Sequence, residues 1–208
     1  MTKTPPTARI RLSTKKSGTP DGSNPAVVAE IRFYRANEKP YGAFSNLYRR
    51  PVIFEGVVFP TSEHAYQAGK ARKPAVRDWI LSAPTPALAA MAAHGLYVWD
   101  VAPDWAQTKF DRMRRVLRAK FDQHEDLRQL LMSTGSARLV EVGTVNNAVN
   151  RLWGEVDGKG ENMLGVMLME LRESCSKETG AAKAKPARAT SKARAGATTV
   201  ATRAPAAV

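Results

Sequence analysis

The sequence predicts an α+β fold: a single, mainly helical domain with a small antiparallel β-sheet. Three observations carry this. Short runs of β-branched and aromatic residues cluster early in the domain and once more near residue 140. Longer stretches with apolar residues three and four positions apart fill the rest. Strands and helices do not alternate as βαβ units and there is no Gly-rich phosphate loop, which excludes Rossmann and P-loop architectures.

In order, Ile31-Arg32-Phe33-Tyr34 alternates as a strand. Residues 52–54 and 57–59 flank Glu55-Gly56, the pattern of a hairpin with a two-residue turn. Thr61 or Ser62 caps a helix that holds Glu63 in its first turn. Pro74 opens a second helix carrying Trp79, and the Ala-rich run 86–94 is a third, stopped by Gly95. Pro103 opens the longest helix, ending near Asp122. One of its rows is Trp105, Lys109, Arg112 and Val116; the other is Phe110, Met113 and Leu117. Residues 127–132 continue as helix to Thr134-Gly135. Residues 138–142 read as a strand, 146–160 as an Asn/Gly-rich loop, and about 161–173 as an amphipathic helix burying Met163, Leu164, Met167, Leu168 and Leu171.

The chain of 208 residues suits one domain with tails. We expect a basic disordered tail over 1–28, the domain over 29–175, and an Ala/Lys/Arg-rich disordered tail over 176–208. The net charge of +13 belongs mostly to the ends: residues 1–25 and 180–208 supply +10, leaving about +3 for the body. Such tails predict non-specific, salt-sensitive contact with nucleic acid, or serve only solubility. No apolar run is of membrane-spanning length and no leader pattern opens the chain, so no membrane partner is expected. The single cysteine, Cys175, has no internal partner, and a reducing cytoplasm is the expected location. His64, His94 and His124 lack zinc-ligand spacing; neither metal nor cofactor is expected.

The chemistry concentrates in residues 59–71, Phe-Pro-Thr-Ser-Glu-His-Ala-Tyr-Gln-Ala-Gly-Lys-Ala. Glu63, Gln67 and Lys70 fall at i, i+4 and i+7 and share one helical face. An acid, an amide and an amine on one face, beside the apolar Val57-Val58-Phe59, suggest a lined pocket. Glu63 alone is also explained as a first-turn acid favoured by the helix dipole. His64 points off that face and reads as structural.

Four segments in order resemble the YbiA-like family, also called the NADAR (NAD and ADP-ribose) domain. They are Phe44-Ser45-Asn46 followed by Ser62-Glu63-His64-Ala65-Tyr66-Gln67 and Lys70; Asp104-Trp105 with Lys109 and Met113; Lys120-Phe121 with Gln123, leading to Leu131-Met132-Ser133-Thr134-Gly135; and Trp153-Gly154 with Gly160-Glu161-Asn162-Met163-Leu164-Gly165, Leu168-Met169 and Arg172. The resemblance covers roughly residues 30–174. It implies a hydrolase of N-glycosyl bonds at a phosphorylated or ADP-ribosylated ribose. The substrate it implies is an ADP-ribosylated guanine base; the alternatives are an early riboflavin-pathway intermediate, or a low-activity module that binds ADP-ribose or NAD.

The resemblance also implies a catalytic set of Glu63, Trp105 and Asn150. At the last position the family carries Asp, and Asn keeps the shape without the charge. If the alignment slips in the preceding loop, Glu155 or Asp157 supplies the carboxylate instead. Expected substrate contacts are Asn46, Gln67, Lys70, Lys109, Trp153, Gly154 and Asn162. Glu63 would stabilise positive charge growing on the ribose and deprotonate water. Trp105 would stack on the leaving heterocycle. Asn46 and Asn162 serve equally well as capping or turn amides, and Trp153 either walls the pocket or closes the end of the core.

Overall fold

The structure is a computed structural model that describes residues 29–184. The expected tail over 1–28 and residues 185–208 of the tail expected over 176–208 lie outside the described residues. The elements are β1 (Glu30–Phe33), β2 (Val52–Phe54), β3 (Val57–Phe59), α1 (Ser62–Ala68), α2 (Pro74–Leu81), α3 (Pro86–His94), α4 (Trp105–Gln123), α5 (Glu125–Ser133), β4 (Arg138–Glu141), α6 (Ala148–Trp153) and α7 (Met163–Ala184).

The predicted hairpin forms. β2 and β3 pair antiparallel, and both turn residues adopt positive φ, Glu55 at 50° and Gly56 at 75°. That is the turn whose twist matches the strands it joins. The second pair departs from the expected purely antiparallel sheet. β1 and β4 run parallel, Glu30 opposite Arg138 through Phe33 opposite Glu141, more than a hundred residues apart in sequence. A parallel pair needs a long crossover, and everything from β2 to α5 lies inside it.

Among the described residues β4 has one strand neighbour, β1. Toward β1 it bonds by Arg138 N–H to Ala29 O and by Val142 N–H to Phe33 O. Its other edge bonds non-strand groups. Asn162 Oδ1 accepts from Glu141 N–H at 3.0 Å, and Asn162 Nδ2 donates to Leu139 O at 2.8 Å. Glu155 N–H donates to Glu141 O, and Gly143 N–H to Glu155 O. A side-chain amide and one turn thus stand in for a missing strand and satisfy backbone that burial would otherwise strand.

The main core gathers Phe33, Phe44, Met113, Leu117, Phe121 and Leu139 with α7's Leu164, Met167 and Leu168. The inward α7 residues are those its spacing predicts. A smaller cluster of Val52, Phe54, Phe59, Ala65, Ala68 and Val116 packs the hairpin and α1 on α4.

Two boundaries differ from expectation. α7, with 22 residues, exceeds α4, with 19, and runs past residue 175 to Ala184. Glu178 holds that extension, taking Arg118 at 2.7 Å and Arg128 at 3.4 Å from α4 and α5. The expected 146–160 loop contains α6, which Asn147 caps by accepting from Asn150 N–H. Among the described residues no helix is long and apolar enough to cross a membrane.

Candidate active site

Thr61 is the cap of α1; its side chain accepts from His64 N–H. His64 is then spent on both ring nitrogens, Nδ1 on Thr61 Oγ1 at 2.8 Å and Nε2 on Ala83 O at 3.0 Å. It is structural, as its helical position predicts. At the other end of α1, Arg112 Nε and its terminal amine donate to Ala65 O, at 3.0 and 2.7 Å, and its guanidinium pairs with Glu55 at 3.1 Å. A cation at the helix C-terminus complements the macrodipole and fixes α1 on α4.

The loop that carries Asn46 is fastened twice. Asn46 O accepts from Glu63 N–H at 3.1 Å and from Ser62 Oγ at 3.2 Å. Lys120, wholly buried, donates to Ala43 O at 2.6 Å and Ser45 O at 3.0 Å. Burial without a counter-charge pulls the Lys120 amine down to about 7.

These elements enclose a cleft of about 470 Å³, in the range that takes a small-molecule ligand. Glu63, Gln67 and Lys70 line it, as do Trp105, Lys109, Asn46, Asn150, Trp153 and Gly154. Glu63 and Trp105, separated by more than forty residues in sequence, therefore share one cavity. α1 ends before Lys70, yet the turn at Gly69 keeps the amine in the cleft, where its Nζ donates to Ala93 O at 2.7 Å. Tyr66, which sequence reading left without a role, is the keystone of the aromatic wall. Its ring lies 5.0 Å from Trp105 and 5.4 Å from Trp153. Both indoles remain half-buried and line the cleft.

Glu63 is buried and accepts one hydrogen bond, from Gln67 Nε2 at 2.7 Å. Burial outweighs that bond and pushes the carboxyl up to about 7. Asn46 is 6 % exposed; its Nδ2 donates to Met113 Sδ at 3.2 Å, and among the described residues its Oδ1 has no hydrogen-bond partner. An orphaned acceptor inside a cleft is a costly feature without a ligand donor such as a sugar hydroxyl.

Asn150 stands at the cleft on α6, where its Nδ2 donates to Val145 O at 2.8 Å. Asn162 is not among the lining residues: both ends of its amide are used on β4, so the expected substrate contact is a brace for the strand. Its φ of 52° explains how the amide turns to lie along the strand edge. Glu155 pairs with Arg138, and neither Glu155 nor Asp157 lines the cleft.

The acid that does line it, unmarked in the sequence, is Glu141 at the end of β4. Burial, and then the Glu63 charge, push its carboxyl up to about 8. Its sequence signal was only the inward phase of a strand, which an ordinary edge acid shares. Among the described residues no three His, Cys, Asp or Glu side chains gather as metal ligands.

The family model of the NADAR domain matches residues 32–176. The N-glycosidase YbiA of Shigella flexneri serotype 5b is 42% identical over 149 residues, spanning 71% of this chain and 89% of that protein. The riboflavin biosynthesis protein VVA0006 of Vibrio vulnificus is 33% identical over 144 residues, 69% of this chain but 38% of that larger protein. The NMR structure of E. coli YbiA superposes with a TM-score of 0.64 at 40% identity, covering 73% of this chain and 87% of the other. A matched segment spanning most of the chain, an α+β architecture shared with a solved relative, and a carboxyl-and-indole cleft inside that segment agree on one conclusion: the chain belongs to the NADAR domain family, with N-glycosidases among its relatives.

Proposed function

We propose that this protein hydrolyses the bond between a phosphorylated ribose and a nitrogen heterocycle. The observation that carries the proposal is a buried carboxyl, Glu63, in one cleft with two half-buried tryptophans. Breaking a ribosyl C–N bond places positive charge on the sugar, and a carboxylate set in a low-dielectric wall stabilises it strongly. Trp105 and Trp153 offer stacking faces for the departing base, worth about 1–3 kcal/mol per base on aromatic platforms. Asn46 Oδ1 accepts from a ribose hydroxyl. Lys109 and Lys70, both at the cleft, hold phosphate.

The leading substrate is an ADP-ribosyl group on a guanine base. The second is the aminopyrimidine ribose phosphate of early riboflavin synthesis, a reading favoured by the name of the Vibrio vulnificus relative. Binding of ADP-ribose without turnover is the non-catalytic rival, motivated by an amide at Asn150. The test is incubation with guanine-ADP-ribosylated DNA and, separately, with the aminopyrimidine ribose phosphate, following free base by chromatography. Release from one of them identifies the substrate class. No release from either at micromolar enzyme, with ADP-ribose bound, replaces the hydrolase by the binding module.

A further inference from the structure

We propose that Glu141 gives its proton to the departing heterocycle while Glu63, ionised in the same cleft, stabilises the charge on the ribose. The inference rests on the glycosidase reading above and adds the acid which that reading lacks. A neutral nitrogen heterocycle leaves poorly as an anion, so an enzyme that relies on one carboxylate alone meets only half of the chemistry.

The placement is built rather than incidental. Glu141 N–H is held by Asn162 Oδ1 at 3.0 Å, and Glu141 O by Glu155 N–H at 2.8 Å. Gly154 passes so close that a Cβ there would collide with Glu141 O, which explains a glycine after Trp153. Strand alternation then turns the carboxyl into the cleft. The charged and titratable groups that line the cleft with it are Glu63, Tyr66 and Lys70 on or just after α1, His94 on α3, Lys109 on α4 and Tyr34 after β1. Arg138, the cation on the same strand, is engaged by Glu30 and Glu155. The influences that raise Glu141 are therefore burial and Glu63. Both carboxyls are raised, Glu141 further than Glu63, so Glu63 ionises first as pH rises and Glu141 is the member of the pair that keeps its proton longer.

In the step, the C1′–N bond breaks with its electron pair passing to nitrogen, and the Glu141 proton bonds to that nitrogen. Water oxygen then bonds to C1′ as one water proton passes to Glu63. Return of that proton through solvent to Glu141 restores the pair. One water is consumed, and a ribose hydroxyl and a protonated base are released.

The experiment compares Glu141→Gln and Glu63→Gln on two substrates: the neutral-base substrate found above, and an N-ribosylpyridinium phosphate, whose pyridine departs neutral without a proton. Glu141→Gln should lose about 10²–10⁴-fold in kcat on the neutral base and stay within about tenfold of wild type on the pyridinium. Glu63→Gln should lose on both. Equal loss by Glu141→Gln on both substrates, or no loss on either, overturns the assignment while leaving the hydrolase intact. A wild-type protein that cleaves neither overturns the glycosidase reading and this one with it. Should Glu141→Gln fail to fold, the wild-type pH profile decides: kcat/KM should fall above about pH 8, and a flat profile from pH 7 to 9 overturns the proposal.

Discussion

The two walls of the cleft are made in different ways. On one side Glu63, Gln67 and Lys70 come from a single run of eight residues, and helix periodicity with the Thr61 cap aims them. On the other, Glu141, Asn150 and Trp153 come from a strand end and a short helix, aligned by backbone bonds to Asn162 and Glu155. Local geometry builds the first wall; long-range complementarity builds the second. The first should therefore be sensitive to changes in its own chemistry, and the second to changes at residues that never meet the substrate.

The largest effect should come from the first wall. Glu63→Gln keeps the size and the hydrogen bond to Gln67 but removes the charge, and should cut kcat by about 10²–10⁴-fold with little change in KM. Steady-state kinetics check this. A loss below tenfold would reduce α1 to a frame and shift the chemistry entirely to the β4 side.

Next comes Asn162→Gly, which probes the second wall from outside the cleft. Glycine tolerates the φ of 52°, so the change removes only the amide. Leu139 O and Glu141 N–H lose their partners, which should cost about 2–6 kcal/mol, at roughly 1–3 for each group left unpaired. Urea denaturation measures it. A cost under about 1 kcal/mol would mean that pairing with β1 alone holds β4.

The same contrast explains what the sequence disclosed. The hairpin was legible because Glu55-Gly56 is turn chemistry written in two adjacent residues, and α1 because a cap precedes a periodic face. Glu141 was not legible. Its role depends on Glu63 and on burial supplied by segments a hundred residues away. Asn162 was open for a related reason: the sequence allowed a ligand contact or a capping or turn amide equally, and only its left-handed backbone, which lays the amide along β4, decides between them. α6 was hidden by composition, since Asn and Gly around it signal loop while Asn147 in fact caps a helix. The α7 extension follows from pairing of Glu178 with Arg118 and Arg128, on helices distant in sequence.

The pair of carboxyls also sets a stability signature. Unfolded glutamates give up protons near 4.5, whereas folded Glu63 and Glu141 hold theirs to about 7 and about 8. Between those limits the folded state binds more protons, so stability falls as pH rises, by at most about 1.4 kcal/mol per pH unit for each group. Lys120 has the opposite sign. Its folded value of about 7 lies below the ordinary 10.5, so the unfolded state binds more protons there and stability recovers with rising pH. Chemical denaturation across pH 4.5–10 should show a minimum near pH 7–8, and Glu63→Gln should flatten its acid side. Stability climbing steadily from pH 4.5 to 8 would contradict the shared burial of the two acids.

The smallest effect, and the one that separates the walls most sharply, is expected from Asn150→Asp. If the second acid belonged on α6, restoring a carboxylate there would raise turnover by tenfold or more. With Glu141 already in place, an Asp at this position loses the bond that Asn150 Nδ2 donates to Val145 O and adds negative charge to a cleft that two carboxyls already line. Turnover should hold or fall by a few-fold, with a local cost of about 0.5–1.5 kcal/mol for the lost bond. Glu141 should titrate still higher, because a further like charge disfavours its ionised form. A tenfold gain would move the missing carboxylate from β4 to α6 and leave Glu141 as a half-buried acid of the strand end.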